Sequence, residues 1–228
     1  MKKMLVLGKN EIREIILSPA IAVIILPIFM SKVIGYAMES AGVEFLLLSV
    51  WILFAEVMVG IMLTGPNLIE EREGKTLDAL LVTPLNFAQI AISKGLTILL
   101  FSMLSQIFVF IINRGFDGRL LSLLIPMLLG GLLFVEIGMV LGLIVNSSKN
   151  GSAISAAVMV VLFLIVSIYL SLPEWTYKFL VFLPSIEVTE VISNIMDGNG
   201  VPVLEAILMG AWILVLTSWI SIIGKKRY

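Results

Sequence analysis

Two carboxylates interrupt otherwise apolar runs of the chain, Glu56 within 44–65 and Glu136 within 120–145. At the centre of a bilayer an ionised acid costs about 2.5–3.5 kcal/mol on insertion scales, so such residues turn toward protein or water. No lysine or arginine falls at matching depth along the sequence. Each acid is therefore either protonated or hydrogen-bonded to groups such as Ser102, Ser105 or Gln106, and each fits two roles: glue between helices, or a group in a translocation path or gate. A second charged cluster, Glu70, Glu71, Arg72 and Glu73, runs into Gly74, Lys75 and Thr76. The last three mimic the end of a phosphate-binding loop. That loop, G-x-x-x-x-G-K-[ST], needs a glycine where Ile69 stands, and no strand precedes it, so any use of ATP requires another chain to hydrolyse it. Cysteine and histidine are both absent. Disulfides, thiolate or imidazole metal sites, a haem axial histidine and imidazole acid–base chemistry are thereby excluded, and no catalytic residue, metal or cofactor is expected.

The elements that must position these groups are membrane spans. Of 228 residues 60% are hydrophobic and 14% charged, far from the balance of a soluble domain, and the mean hydropathy is +1.12. Six apolar stretches, 20–38, 44–65, 89–112, 120–145, 151–172 and 203–223, approach the roughly 20 residues that cross a bilayer as helix. This predicts an all-α integral membrane protein with six transmembrane helices in a single domain, 1–228. Between the stretches, eleven lysines and arginines fall on one side and four on the other. The positive-inside rule then places both termini in the cytoplasm of a multi-pass protein of the plasma or inner membrane. The hydropathy makes the lipid membrane the surroundings of the chain, and the net charge of −1 suggests no nucleic-acid partner.

Residues 1–18 carry too many charges between Lys9 and Glu14 for a signal peptide. With Ile12, Ile15 and Ile16 on one face, they predict an amphipathic elbow lying on the inner surface and ended by Ser18-Pro19; a frayed polar tail is the alternative. Residues 68–88 predict a cytoplasmic coupling segment. Thr76 would cap a short helix with Leu77, Leu80 and Leu81 on its apolar face and Pro84 at its end, while Asn86 and Gln89 form a capping box for the third span. A solvated charged loop is the plainer reading. Gly138 and Gly142 make a G-x-x-x-G step in the fourth span, and Gly151 and Ser155 begin the fifth with small residues; these serve packing within the chain or a subunit interface. The external loop 173–200 holds an aromatic piece, Trp175 to Phe182, and a helical pattern at Val188, Val191, Ile192, Ile195 and Met196, together a short re-entrant or interfacial helical pair before the last span.

Glu71 to Pro84, preceded by Glu70, resembles the E-R-E-x-G-T-L-E-x-L-L-x-T-P signature that ABC-2 type transporter permeases carry after their second span. Glu11 to Pro19 with Leu26-Pro27 resembles the elbow and first span of that family, and Leu183-Pro184 through Gly198 its segment before the last span. Here Gly74-Lys75 stands where many members place the glycine directly before the threonine. The resemblance implies a permease subunit of an ABC exporter that dimerises with a second copy or a paralogue and pairs with separate ATPase subunits. Glu70, Glu71, Arg72, Glu73, Gly74, Thr76, Leu77, Leu80, Leu81 and Pro84 would be its ATPase-coupling residues. The alternatives are an ion-coupled secondary transporter using Glu56 or Glu136, and a haem-exporter-type permease of the same broad family.

Overall fold

The computed structural model describes residues 2–38, 44–169 and 172–227. Met1 of the expected elbow and residues 170 and 171 of the fifth apolar stretch lie outside the described residues. Among the described residues every regular element is helical: α1 Lys2–Leu17, α2 Ile21–Met38, α3 Glu44–Glu73, α4 Thr76–Val82, α5 Phe87–Arg114, α6 Arg119–Ile144 and α7 Ser148–Tyr169. A 3-10 turn, Glu174–Thr176, leads to α8 Tyr177–Leu180, α9 Pro184–Met196 and α10 Val203–Arg227. Helices α3, α5, α6, α7 and α10 are each long and apolar enough to cross a membrane, and α1 with α2 forms a pair bent by 59° that makes a sixth such unit.

The breaks follow local chemistry. Proline disfavours helix in the residue before it, and at Ser18-Pro19 the Ser18 hydroxyl donates to Ile15 O (3.2 Å) while accepting from Ala20 N (3.2 Å). Asn86 caps α5 as a capping box: its side chain accepts from Gln89 N at 2.8 Å and its own N–H donates to Gln89 Oε1 at 3.1 Å. Gly115, at φ 74, ends α5 in a backbone region that favours glycine. Pro184 opens α9, where its missing N–H is no loss.

Helix α3 is the centre of the bundle, packed against α2, α5, α6 and α7. Its continuity changes one expectation. Residues 68–73 are not part of a connecting segment but the last turns of α3, where Glu71, Arg72 and Glu73 bond to neighbouring helices and Glu70 stays exposed. Only Gly74 and Lys75 separate α3 from α4. The outermost spanning helices, α7 and α10, leave most of their residues unburied, with Val161, Ile168, Leu214 and Val215 exposed.

Candidate functional site: a charged junction beneath an open groove

At the end of the bundle that carries α4, the run 70–73 divides its work among different helices. Lys94, buried on α5, donates to Glu11 Oε2 of α1 at 2.6 Å and also to Glu71 Oε1 of α3. Asn67 Nδ2 donates to the other oxygen of Glu11 at 3.0 Å. One ammonium thus joins three helices, and a cation buried between acids is the arrangement that keeps such charges affordable in an apolar interior. Arg72 reaches α6 instead. One of its guanidinium nitrogens donates to Gly142 O (2.7 Å), Leu143 O (3.1 Å) and Val145 O (2.9 Å), and the other to Asn146 Oδ1 (3.4 Å). These are carbonyls that the end of α6 would otherwise leave unpaired, and the positive charge meets the negative end of the helix dipole. Glu73 Oε1 accepts from Ser148 N at 2.9 Å and so caps the start of α7. Glu70 is exposed.

Over this junction lies α4. Leu77 is fully buried, Leu80 and Leu81 are half-buried, and Val82 is 89% exposed. Between α4 and α1 runs an open groove of about 440 Å³, lined by Val6, Leu7, Asn10, Leu80, Thr83, Pro84 and Leu85.

The sequence pattern of ABC-2 family transporter proteins matches residues 14–223, a stretch that includes most of the spanning helices and the junction residues of α3 and α5. The chain belongs to the ABC-2 transporter family. It is a multi-pass, permease-type membrane protein. No curated protein matches it.

In this ABC-2 protein three details depart from the sequence expectations. Leu77, Leu80 and Leu81 share one face of α4, but that face turns toward the bundle, with Leu77 in the core and Leu80 and Leu81 half-buried against it, where α4 packs on α3. Thr76 does not cap α4. Lys75 holds the cap position without a side-chain bond, and the Thr76 hydroxyl donates to Glu71 O at 3.0 Å. Lys75 also adopts φ 56, the left-handed region that a glycine enters without strain, which accounts for glycine at this position in the signature. Ile12, Ile15 and Ile16, placed on one face of the elbow by the pattern, differ in surroundings: Ile15 is buried in the core and Ile16 is 51% exposed.

The two intramembrane acids occupy different surroundings. Glu56 is fully buried. With the Gln106 amide turned so that its nitrogen faces the acid, it donates to Glu56 Oε1 (3.0 Å) and to Met127 O (3.3 Å), and its oxygen accepts from Ser102 Oγ (3.0 Å). A Cβ on Gly130 would stand 2.6 Å from that same carboxylate oxygen, so the glycine makes room for the acid. Ser105, the other expected partner, donates instead to Ile24 O at 2.9 Å. Glu136 accepts from the Thr217 hydroxyl of α10 at 2.5 Å. The small residues face inward. A Cβ on Gly138 would meet Gly60 O at 2.7 Å, one on Gly142 would meet Leu68 Cβ at 2.9 Å, Gly151 abuts Ile69, and Ser155 fills the space beside Gly65. All four lie against α3.

At the opposite end, Glu187 of α9 is fully buried with neither carboxylate oxygen hydrogen-bonded within the chain. Burial, with a smaller contribution from the negative charge of Glu205, pushes its pKa up to about 7. The Tyr177 hydroxyl donates to Glu205 Oε1, and Trp212 Nε1 donates to Phe182 O at 3.0 Å, tying the aromatic piece to α10. Glu11, Asn67, Lys94, Glu187 and the groove residues Val6, Leu7 and Asn10 were not distinguishable as site residues by spacing. Lys94 did carry a signal: a lysine in a run apolar enough to span needs a buried partner.

Proposed function

We propose that this chain is the membrane-spanning subunit of an ATP-driven exporter, forming the substrate path and receiving force from separate ATPase subunits that dock in the groove between α1 and α4. The observation that carries the reading is the coupling of that groove to the charged junction. Leu80, Pro84 and Leu85 offer apolar contact at the surface, and Leu77 roots the same short helix in the core. Lys94 joins α1 to α3 and α5, and Arg72 joins α3 to the end of α6. A push on α4 is thereby delivered to four helices through bonds and packing rather than through a slack loop. The groove end is cytoplasmic in this reading, with both termini there, and the membrane is the plasma or inner membrane. The chain works as a dimer with a second copy or a paralogue. Because Gly138, Gly142, Gly151 and Ser155 are occupied inside the subunit, the partner permease meets larger apolar side chains.

In a helix-in-groove contact a few buried side chains carry most of the energy. Replacing Leu80 and Val6, which both line the groove, with Asp puts two charges into that contact, and binding should weaken by about two orders of magnitude or more. Copurification of a cognate ATPase subunit, and its stimulated hydrolysis, should be lost while expression and thermal midpoint are kept. A well-folded double variant that holds and stimulates the ATPase normally would refute the docking role.

A further inference from the structure

A second opening lies between α5, α6 and α10, deeper in the bundle than the groove beside α4. It is a cleft of about 220 Å³, walled by Phe87, Ala91, Leu96, Val135, Met139 and Ile220, with Glu136, Thr217 and Ser221 as its polar members. None of the residues lining it is basic. Glu136 is 93% buried, being 7% exposed. The cleft therefore has a single carboxylate in its wall, one oxygen held by Thr217 and the other buried and without a hydrogen bond within the chain.

We infer that the α5–α6–α10 cleft is a binding site for a hydrophobic organic cation, an amine or quaternary ammonium whose apolar body fills the cleft and whose positive charge pairs with Glu136. The chemistry discriminates among occupants. A lipid tail satisfies the walls and leaves the carboxylate alone. A metal ion needs several oxygen ligands, and no group of three acids among the described residues could hold one. A small hydrated cation gains nothing from walls of this kind. An organic cation satisfies both, because an ionised acid in an apolar site is stabilised by a desolvated partner of opposite charge. The volume lies below the roughly 300–1,000 Å³ of drug-sized pockets, so the fitting portion is a head group with one ring or a short chain. Thr217 is a positioning residue that holds the Glu136 carboxylate in the wall through one of its oxygens.

The test uses the isolated full-length chain in nanodiscs of zwitterionic phosphatidylcholine, so it does not depend on the ATPase reading. The probes are 4-(trifluoromethyl)benzyltrimethylammonium and its uncharged carbon isostere, followed by ligand-observed fluorine NMR against empty nanodiscs. The cation should broaden in wild-type discs, and the isostere should bind at least about tenfold more weakly. Glu136→Gln should abolish the difference between the two probes. Leu96→Trp, at the exposed mouth of the cleft, should block both while keeping the carboxylate and the fold, as read by thermal midpoint. Glu205→Gln, which removes an acid in the first turn of the same helix, should leave cation binding intact. Equal binding of the two probes to wild type would reduce the site to an apolar cleft. Cation binding that survives both Glu136→Gln and Leu96→Trp, or no cation binding to the wild-type chain, would overturn the inference.

Discussion

Lys94 is one cation between two acids, and taking it away leaves Glu11 and Glu71 as buried like charges with only Asn67 to help. Breaking a buried pair by removing one partner typically costs about 3–5 kcal/mol. Lys94→Met should therefore lower the thermal midpoint sharply, and the triple variant Glu11→Gln, Lys94→Met, Glu71→Gln should recover most of that loss. A triple variant as unstable as the single would show that the lysine acts by packing rather than charge. Glu187 belongs to the same scale with the opposite sign. Its pKa is raised to about 7 in the folded protein, so between the ordinary carboxylate range and pH 7 the folded state binds more protons than the unfolded one. Stability then falls as pH rises through that window. Glu187→Gln should leave the thermal midpoint unchanged at pH 5 and raise it at pH 8, flattening the profile. An identical slope in variant and wild type would remove Glu187 as its source.

Helices α3, α6 and α7 meet through glycine and serine, and this close approach is what allows Arg72 and Glu73 to reach the ends of α6 and α7. A leucine at 142 would have to displace Leu68 and the backbone of α3, and overpacking of this kind costs about 1–3 kcal/mol. Gly210 of α10 has open space around it. Gly142→Leu should thus reduce the thermal midpoint and the yield of monodisperse protein, and Gly210→Leu should change neither. Similar losses from both would mean that backbone approach between α3 and α6 is not what the glycine supplies. The junction also explains why the charged signature follows a span directly: three of its four charged side chains bind other helices, and Glu70 is left to water.

At the scale of the whole molecule, α4 with the groove and α8–α9 with their aromatic rim occupy opposite ends of the bundle, and the orientation proposed above is testable because the chain has no native cysteine. Single cysteines at Phe116 and Trp175, both well exposed, should react with an impermeant maleimide in intact cells, and one at Thr83 should react only after lysis. The reverse pattern would invert the topology. Apolar run length, proline breaks and the Asn86–Gln89 cap made the helical spans, the elbow break and the start of α5 legible in the sequence, since each depends on residues within a turn or two of one another. The signature placed the chain in its family for the same reason. Which faces those helices bury depends on partners distant along the chain, and only the tertiary structure decided it. Leu77 became core rather than surface, Glu11 was drawn inward to Lys94, and Glu56 and Glu136, alike in sequence, were separated into a sealed helix junction and the wall of a cleft. Periodicity shows that a helix has an apolar face; the packing of the other helices determines what covers it.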